Sequence, residues 1–264
     1  MRRLYPEPGS QDLDGLYDGL TLPAGTGDRP WWVAMCMVAS LDGSAVADGL
    51  SGGLGGAADL LALSRLRDAC DAVLVGAANV RQEGYGPLAG SPERRRSRQE
   101  RGLGPLPRLA IVTASADLDP ASAPFTHPDQ RPLLLVPERS ESTARRRLGA
   151  VADVEVAGEQ RVDPATAVRR LADLGLPRVL CEGGPRLNAQ MLAADLIDEV
   201  FVTVASTTLG GEGPRIAQGP QPEQPRTRRL ESAFLHEGDL LLRYRDPRHP
   251  PAGADHRAGT DLQG

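Results

Sequence analysis

Short apolar runs alternate with mixed polar segments along most of the chain, and this pattern predicts strands that alternate with helices. The apolar runs predict six buried strands, at residues 33–40, 72–76, 108–113, 133–136, 178–181 and 199–205. The segments between them predict four helices, at residues 59–69, 141–148, 164–174 and 186–194. Short buried strands joined by helices are typical of a largely parallel sheet that is covered on both faces.

Both ends of the chain depart from this alternation. Residues 1–29 are rich in Gly, Asp and Pro, which predicts an N-terminal arm that is partly ordered at best. Residues 247–264 have many Pro and Gly and little to bury, which predicts a disordered tail. Before that tail, the runs at 230–236 and 240–245 flank a short turn and predict an antiparallel hairpin. We therefore expect one α/β domain over residues 30–246, with a mixed, mostly parallel sheet flanked by helices.

Composition narrows the classes of function. All 30 basic residues are Arg, which excludes a Schiff-base lysine enzyme and a standard P-loop NTPase. A net charge of -5 argues against nucleic-acid binding. No apolar run is long enough for a membrane helix and no signal peptide is evident, so we expect a cytoplasmic protein. The three cysteines, far apart and odd in number, favour reduced thiols over a metal site: Cys36, Cys70 and Cys181.

Glycine turns at the ends of predicted strands carry the candidate chemistry. The strand at 72–76 ends at Gly76, and the following Asn79 can cap a helix or bind a ligand. The strand at 178–181 is followed by Glu182, two glycines and a proline, a turn that lets a phosphate approach the backbone. A third glycine pair follows the strand at 199–205. Several such turns suit a dinucleotide, although the sequence contains no G-x-G-x-x-G.

Two polar segments complete the candidate site. Asp42, in a Leu-Asp-Gly turn, either caps that turn or takes part in the site. The Ser- and Gly-rich loop at 51–56 is of a kind that closes over a ligand. The charged run at 94–101 favours a solvated loop, with a phosphate-gripping loop as the alternative.

Short motifs follow one another in a characteristic order: S-L-D-G, the Ser/Gly loop, L-R at 66–67, D-A-V-L-V-G, E-G-G-P-x-L-N, L-I-D-E-V and L-G-G. In this order they resemble the pyrimidine reductases of riboflavin biosynthesis, the reductase domain of the bifunctional deaminase-reductase, over about residues 31–245. That family has a dihydrofolate-reductase-like fold. V-R-x-E-G-Y at 80–85 is similar to its stand-alone, actinobacterial-type branch.

The resemblance implies NADPH-dependent hydride transfer to the ribosyl C1′ of 5-amino-6-(5-phosphoribosylamino)uracil, and a homodimer. It implies catalytic residues Glu182 and Asp42, with Asp42 near the nicotinamide. It implies substrate contacts from Ser51, Arg67 and Glu182, with Arg67 on the phosphate and Glu182 on the uracil or ribose edge. The implied cofactor contacts are Gly76, Asn79, Glu83, Ser115, Gly183, Gly184, Pro185, Arg186, Leu187 and Asn188.

Two departures from the family pattern bear on function. Residues 83–88 replace D-P-x-L-T-x-R, so an Arg that helps to hold the substrate phosphate is missing, unless the run at 94–98 compensates. The sequence lacks H-x-E and P-C-x-x-C, so we expect no deaminase activity. Three functions therefore stay open: this pyrimidine reductase, a same-fold reductase with a diverged substrate such as dihydrofolate, another pterin or a specialised metabolite, and a non-catalytic NADP-binding protein.

Overall fold

The computed structural model describes residues 1–88 and 90–249. Its strands are β1 (Arg2–Tyr5), β2 (Gly9–Ser10), β3 (Trp32–Ser40), β4 (Ala72–Gly76), β5 (Arg108–Val112), β6 (Leu133–Val136), β7 (Asp153–Val156), β8 (Arg178–Gly183), β9 (Glu199–Ala205), β10 (Arg229–His236) and β11 (Asp239–Arg245). Its helices are α1 (Ala57–Ala69), α2 (Ala77–Gln82), α3 (Pro92–Glu100), α4 (Ala123–Thr126), α5 (Glu138–Leu148), α6 (Pro164–Asp173) and α7 (Pro185–Ala193).

The strands form one sheet of eleven, in the order β2-β1-β10-β11-β9-β3-β8-β4-β5-β6-β7. The neighbours from β9 to β7 pair in parallel, whereas β11, β10, β1 and β2 pair antiparallel. Glu237 and Gly238 both have positive φ and close the tight turn between β10 and β11. The predicted α/β class, the mostly parallel sheet and the C-terminal antiparallel hairpin are confirmed.

The core lies on both faces of the sheet. Successive residues of a strand point to opposite faces, and β4 follows this rule. Val73 and Val75 pack in a cluster with Leu66 of α1 and Leu148 of α5. Leu74, between Val73 and Val75, points to the other face and packs in a second cluster with α6 and α7. Each such buried aliphatic side chain stabilises the fold by about 1.5–3 kcal/mol. Among the described helices, none combines the length and apolarity of a membrane span.

The N-terminal segment, expected as a partly ordered arm, is packed against the sheet. Strand β1 pairs antiparallel with β10, with Arg2 opposite Leu235. Leu16 is fully buried in a small cluster with α1, Phe234 and Leu241. The segment is held in the fold because β1 pairs with the edge of β10 and Leu16 packs in this cluster. Composition alone does not indicate either contact. The division into arm, domain and tail stays a prediction, and residues 250–264 of the tail lie outside the described residues.

The charged run at 94–101 corrects a second expectation, because it lies mostly on helix α3 rather than in a solvated loop. The Ser91 side chain caps this helix by accepting from the Arg94 backbone N–H, and Pro92 occupies its first turn. Arg98 is only 2% exposed. The helix has no apolar stripe, since one face is packed through arginine stems and guanidinium groups, and the hydrophobic pattern therefore misses it.

Candidate functional site

A cleft of about 340 Å³ opens near the carboxyl ends of β3, β4 and β8. This is the edge at which open α/β sheets bind ligands. Helix α1 forms one wall, and the segment after α2 together with the start of α7 forms the other. Its polar lining includes the side chains of Ser51, Asp59, Arg67, Asn79, Glu83, Tyr85 and Glu182.

Arg67 and Glu182 form a two-pronged ion pair in the cleft. The Arg67 Nε donates to Glu182 Oε1 at 2.7 Å, and Nη2 donates to Oε2 at 2.6 Å. Nη2 also donates to the Tyr85 hydroxyl at 3.2 Å, and the guanidinium lies 5.6 Å from the Tyr85 ring centroid. Burial lowers the pKa of Arg67, but the hydrogen bonds and charge of Glu182 outweigh it and leave the pKa raised. The pair is therefore a fixed, charged feature of the cleft wall.

Helix α3 holds the turn that carries Arg67. Arg98 donates to the Arg67 backbone carbonyl at 2.7 Å, and Arg101 donates to the Asp68 carbonyl at 3.1 Å. Arg94 makes three further bonds to the Asp68 carboxylate. The last carbonyls of a helix lack intrahelical partners and favour nearby cations. These three guanidinium groups are engaged with α1, and the phosphate-gripping alternative for this run stays a prediction.

Ser51 and Glu83 join the two sides of the cleft. The Ser51 backbone N–H donates to Glu83 Oε1 at 3.0 Å. Both residues line the cleft, as the resemblance implies. This contact shows Glu83 fixing the Ser/Gly loop to the segment that follows α2.

Three glycines, Gly76, Gly183 and Gly184, form a glycine cluster where β4 meets β8. A Cβ on Gly184 would lie 3.3 Å from the Asn79 Oδ1, and one on Gly183 would lie 3.0 Å from the Asn188 Nδ2. Gly183 also has a φ of +84°, and its peptide bond to Gly184 is cis. At Gly183 the positive φ and the close approach of Asn188 both require glycine, whereas at Gly76 and Gly184 the missing side chain leaves room beside the N-terminus of α7. The first N–H groups of a helix have no intrahelical partner and attract anions.

The other residues predicted to bind the cofactor do not all line the cleft. Gly184, Pro185, Asn79 and Glu83 line the cleft, whereas Ser115 and Arg186 are exposed outside its lining. Leu187 packs in the core. Asn188 is fully buried, and its Nδ2 donates to the Ile216 carbonyl at 2.7 Å. Asn188 therefore fastens α7 to the loop after β9.

Asp42 makes the contacts expected of a residue that caps its own turn, one of the two roles predicted for it. It accepts from the Ser40 hydroxyl at 2.5 Å and from the backbone N–H groups of Gly210 and Leu209 at 2.6 and 3.2 Å. These hydrogen bonds, that of Ser40 first, lower the pKa of Asp42 to about 2. Asp42 is not part of the cleft lining. It ties the turn after β3 to the third glycine pair, and its catalytic role stays a prediction.

Sequence reasoning missed Asp59 and Tyr85, which both line the cleft. Asp59, Leu63 and Arg67 follow one another at four-residue steps on α1, and such positions share one helix face. That spacing was the available signal for Asp59. Burial, and then the nearby charge of Asp239, raise the pKa of Asp59, while a hydrogen bond with the Thr203 hydroxyl opposes the shift.

The fold and the cleft define an α/β protein with a cleft of small-molecule size at the carboxyl edge of its sheet. The sequence pattern of the RibD C-terminal domain matches residues 31–240, and the chain belongs to this family, the pyrimidine reductases. The family consists of reductases that use a nicotinamide cofactor. The resemblance seen in the motifs is confirmed, together with the dihydrofolate-reductase-like fold.

Two archaeal relatives and one solved structure are similar to the chain. The 2,5-diamino-6-ribosylamino-4(3H)-pyrimidinone 5′-phosphate reductase of Methanothermobacter thermautotrophicus is 32% identical over 188 residues, which cover 71% of this chain and 82% of the relative. The reductase of the same description from Archaeoglobus fulgidus is 30% identical over 162 residues, 61% of this chain and 74% of the relative. A pyrimidine reductase-like protein from Corynebacterium diphtheriae superposes with a TM-score of 0.76 at 26% identity, covering 88% of this chain and 97% of that one.

Proposed function

We propose that the protein is an NADPH-dependent reductase of a ribosylamino-pyrimidine 5′-phosphate, the substrate class of riboflavin biosynthesis. The observation that carries this proposal is the Arg67–Glu182 pair, which stands in the cleft at the positions where the family resemblance implies substrate contacts. The archaeal relatives act on a substrate of this class. Within the class we favour 5-amino-6-(5-phosphoribosylamino)uracil.

The residues present fit a dinucleotide cofactor. The glycine cluster leaves the backbone before α7 open to a pyrophosphate, and α7 presents its N-terminus there. The Asn79 amide lies beside Gly184 and can hydrogen bond the cofactor. Ser115, exposed after β5, is the candidate contact for the 2′-phosphate that distinguishes NADPH from NADH. When bound, the reduced nicotinamide supplies a hydride.

The chain's own residues bind and orient the substrate. The Glu182 carboxylate accepts hydrogen bonds from N–H or hydroxyl groups of the pyrimidine or ribose edge, while its ion pair with Arg67 holds it in place. Ser51, on the loop held by Glu83, contacts the substrate from the other side. Leu60 and Leu63 of α1 add apolar surface to the cleft wall.

A same-fold reductase with a diverged substrate, such as dihydrofolate, is the second candidate, and one observation favours it. Among the described residues that line the cleft, Arg67 is the one cation, and Glu182 already occupies it. The family Arg absent from 83–88 is not replaced by Arg94 or Arg98, which bond to α1. A cleft with so few free cations is weakly equipped for a substrate phosphate.

The deciding experiment follows NADPH oxidation by the purified protein with the ribosylamino-uracil phosphate and, in parallel, with dihydrofolate. Saturable turnover of the uracil supports the first proposal, and Glu182→Gln is expected to reduce it. Turnover of dihydrofolate alone would transfer the support to the second. NADPH binding without turnover of either would indicate a non-catalytic NADP-binding protein. We also propose a homodimer, which a solution mass measurement tests.

A further inference from the structure

Asp59 is a carboxyl of the cleft to which the proposed function gives no task. It stands in the first turn of α1, two turns before Arg67 on the same helix face. The residue is half-buried and lines the cleft, so that a ligand in the cleft reaches it. Its carboxyl packs over Gly55, where a Cβ would lie within 2.9 Å of the Asp59 Cβ. The side chain is thus confined to the cleft wall.

The surroundings of Asp59 raise the pKa of its carboxyl above the ordinary value. The Thr203 hydroxyl of β9 is its hydrogen-bond partner, and Asp239 at the start of β11 adds a like charge. The Cys36 thiol of β3 also lines the cleft, and burial is the main cause that raises its pKa. Burial is the main cause that raises the pKa of Asp59, and the like charge of Asp239 adds to it.

The other two carboxylates of the cleft are engaged differently. Glu182 uses both oxygens on the Arg67 guanidinium. Glu83 accepts from the Ser51 backbone N–H, a bond that also suits a carboxylate. Asp59 lines the same cleft, and its side chain packs against Gly55 and interacts with Thr203 instead.

We infer that Asp59 is the proton donor of the reduction, a catalytic role that rests on the proposed function. Reduction of a C=N bond requires a hydride on carbon and a proton on nitrogen. The O–H bond of Asp59 breaks, an N–H bond forms on the substrate, and the π bond becomes a single bond as the reduced nicotinamide is oxidised. The Asp59 carboxylate then takes a proton from water at the cleft mouth. Because ring-opened ribosylamines and dihydropterins both present a C=N bond, the role applies to either candidate substrate.

The kinetic test compares wild type with Asp59→Asn, which keeps the shape and loses the acid. We expect kcat to fall by about 10²-fold or more, the range for a general acid, with the affinity for NADPH unchanged. The wild-type rate should fall as pH rises through the raised pKa of Asp59. The residual rate of the variant should not show this decrease. Asp59→Glu, which restores an acid, should recover part of the rate.

A second readout uses the protein without cofactor. A carboxyl whose pKa is raised by folding stabilises the fold below its unfolded pKa, and that contribution is lost as pH rises through the folded pKa. As pH rises, the melting temperature of Asp59→Asn should therefore increase relative to that of wild type. A constant difference at every pH would contradict the proton-holding carboxyl.

The two proposals fail in different ways. An active wild type with kcat and pH profile unaltered in Asp59→Asn would overturn the donor role and leave the proposed function standing. A wild type that oxidises NADPH with no C=N substrate would overturn the proposed function and the donor role with it. A loss of kcat that Asp59→Glu fails to restore, with no change in the pH profile, would identify a structural effect and also reject the donor role.

Discussion

The guanidinium of Arg98 lies 2.7 Å from the backbone carbonyl of Arg67 and donates a hydrogen bond to it. A second nitrogen of the same group donates to the Gly104 carbonyl at 2.9 Å. One buried side chain therefore links helix α3, the loop after it and the turn that presents Arg67 to Glu182. A residue from the charged run acts behind the cleft wall rather than inside the cleft.

Arg98→Leu should destabilise the fold and misplace Arg67. The substitution leaves two carbonyls without their donor, and a buried unsatisfied group costs about 1–3 kcal/mol. Urea unfolding should show a loss of about 2–4 kcal/mol. In protein that remains folded, KM for the pyrimidine should rise more than KM for NADPH. Arg96→Ala, at an exposed position on the same helix, is the matched control and should change neither value.

Glu182→Gln should weaken substrate binding and catalysis while leaving cofactor binding in place. The amide accepts one hydrogen bond from Arg67 instead of two charge-assisted ones, a loss of about 1.5–3 kcal/mol. We expect kcat/KM to fall at least tenfold, with NADPH affinity unchanged in a fluorescence titration. The glycine cluster, which this proposal gives to the cofactor, does not include Glu182.

A double-mutant cycle measures how far Arg67 and Glu182 act together rather than independently. If Arg67 and Glu182 act as one unit, Arg67→Met in the Glu182→Gln background should cost far less than in wild type. Additive losses would show that each residue contacts the substrate independently.

Gly184→Ala should weaken NADPH binding about tenfold, or about 1.4 kcal/mol. Gly184 has an ordinary φ of -72°, so the backbone accepts alanine. The new Cβ would lie 3.3 Å from the Asn79 Oδ1 and push the amide away from its place. Gly9→Ala, where a Cβ meets no atom within 4 Å, is the control. Unchanged affinity in Gly184→Ala would argue against a cofactor at this edge.

Asp42→Asn tests whether Asp42 fastens loops or takes part in chemistry. A carboxylate whose pKa folding lowers stabilises the protein above its unfolded pKa, and the contribution is lost as pH falls through the folded value. The stability advantage of wild type over the variant should therefore be largest above pH 3.8 and shrink toward pH 2. For a fastening role, limited proteolysis near residues 207–211 should accelerate while kcat changes less than tenfold. A larger loss of kcat with intact loops would restore the catalytic role.

The parallel core could be predicted because its strands are apolar on both faces. β4, β6 and β9 match their predicted bounds, and β3 and β5 match within a residue. Strand β7 is short and partly exposed, and β1 needs β10 as a partner, so neither has a signal of its own. Helix α3 packs through arginines, which the hydrophobic pattern counts as solvent-facing.

The candidate site divides in a similar way. Glu182, Ser51 and Arg67 could be placed because motifs and strand ends mark them, and the structure brings them into one cleft. Asn188 belongs to the same motif, yet its amide is used inside the protein. Asp59 was missed because its environment comes from Thr203 and Asp239, on strands remote in sequence. Local patterns do not carry such contacts.

Helix α1 sets a length for whatever occupies the cleft. Asp59 and Arg67 are eight residues apart on one rigid element, and a helix rises about 1.5 Å per residue, or about 12 Å between them. Packing on the sheet keeps that separation constant while a ligand binds. Asp59 and Arg67 therefore offer two polar contacts along one face of the helix, and a ring joined to an extended sugar phosphate, or a pterin with its side arm, has the length to use both.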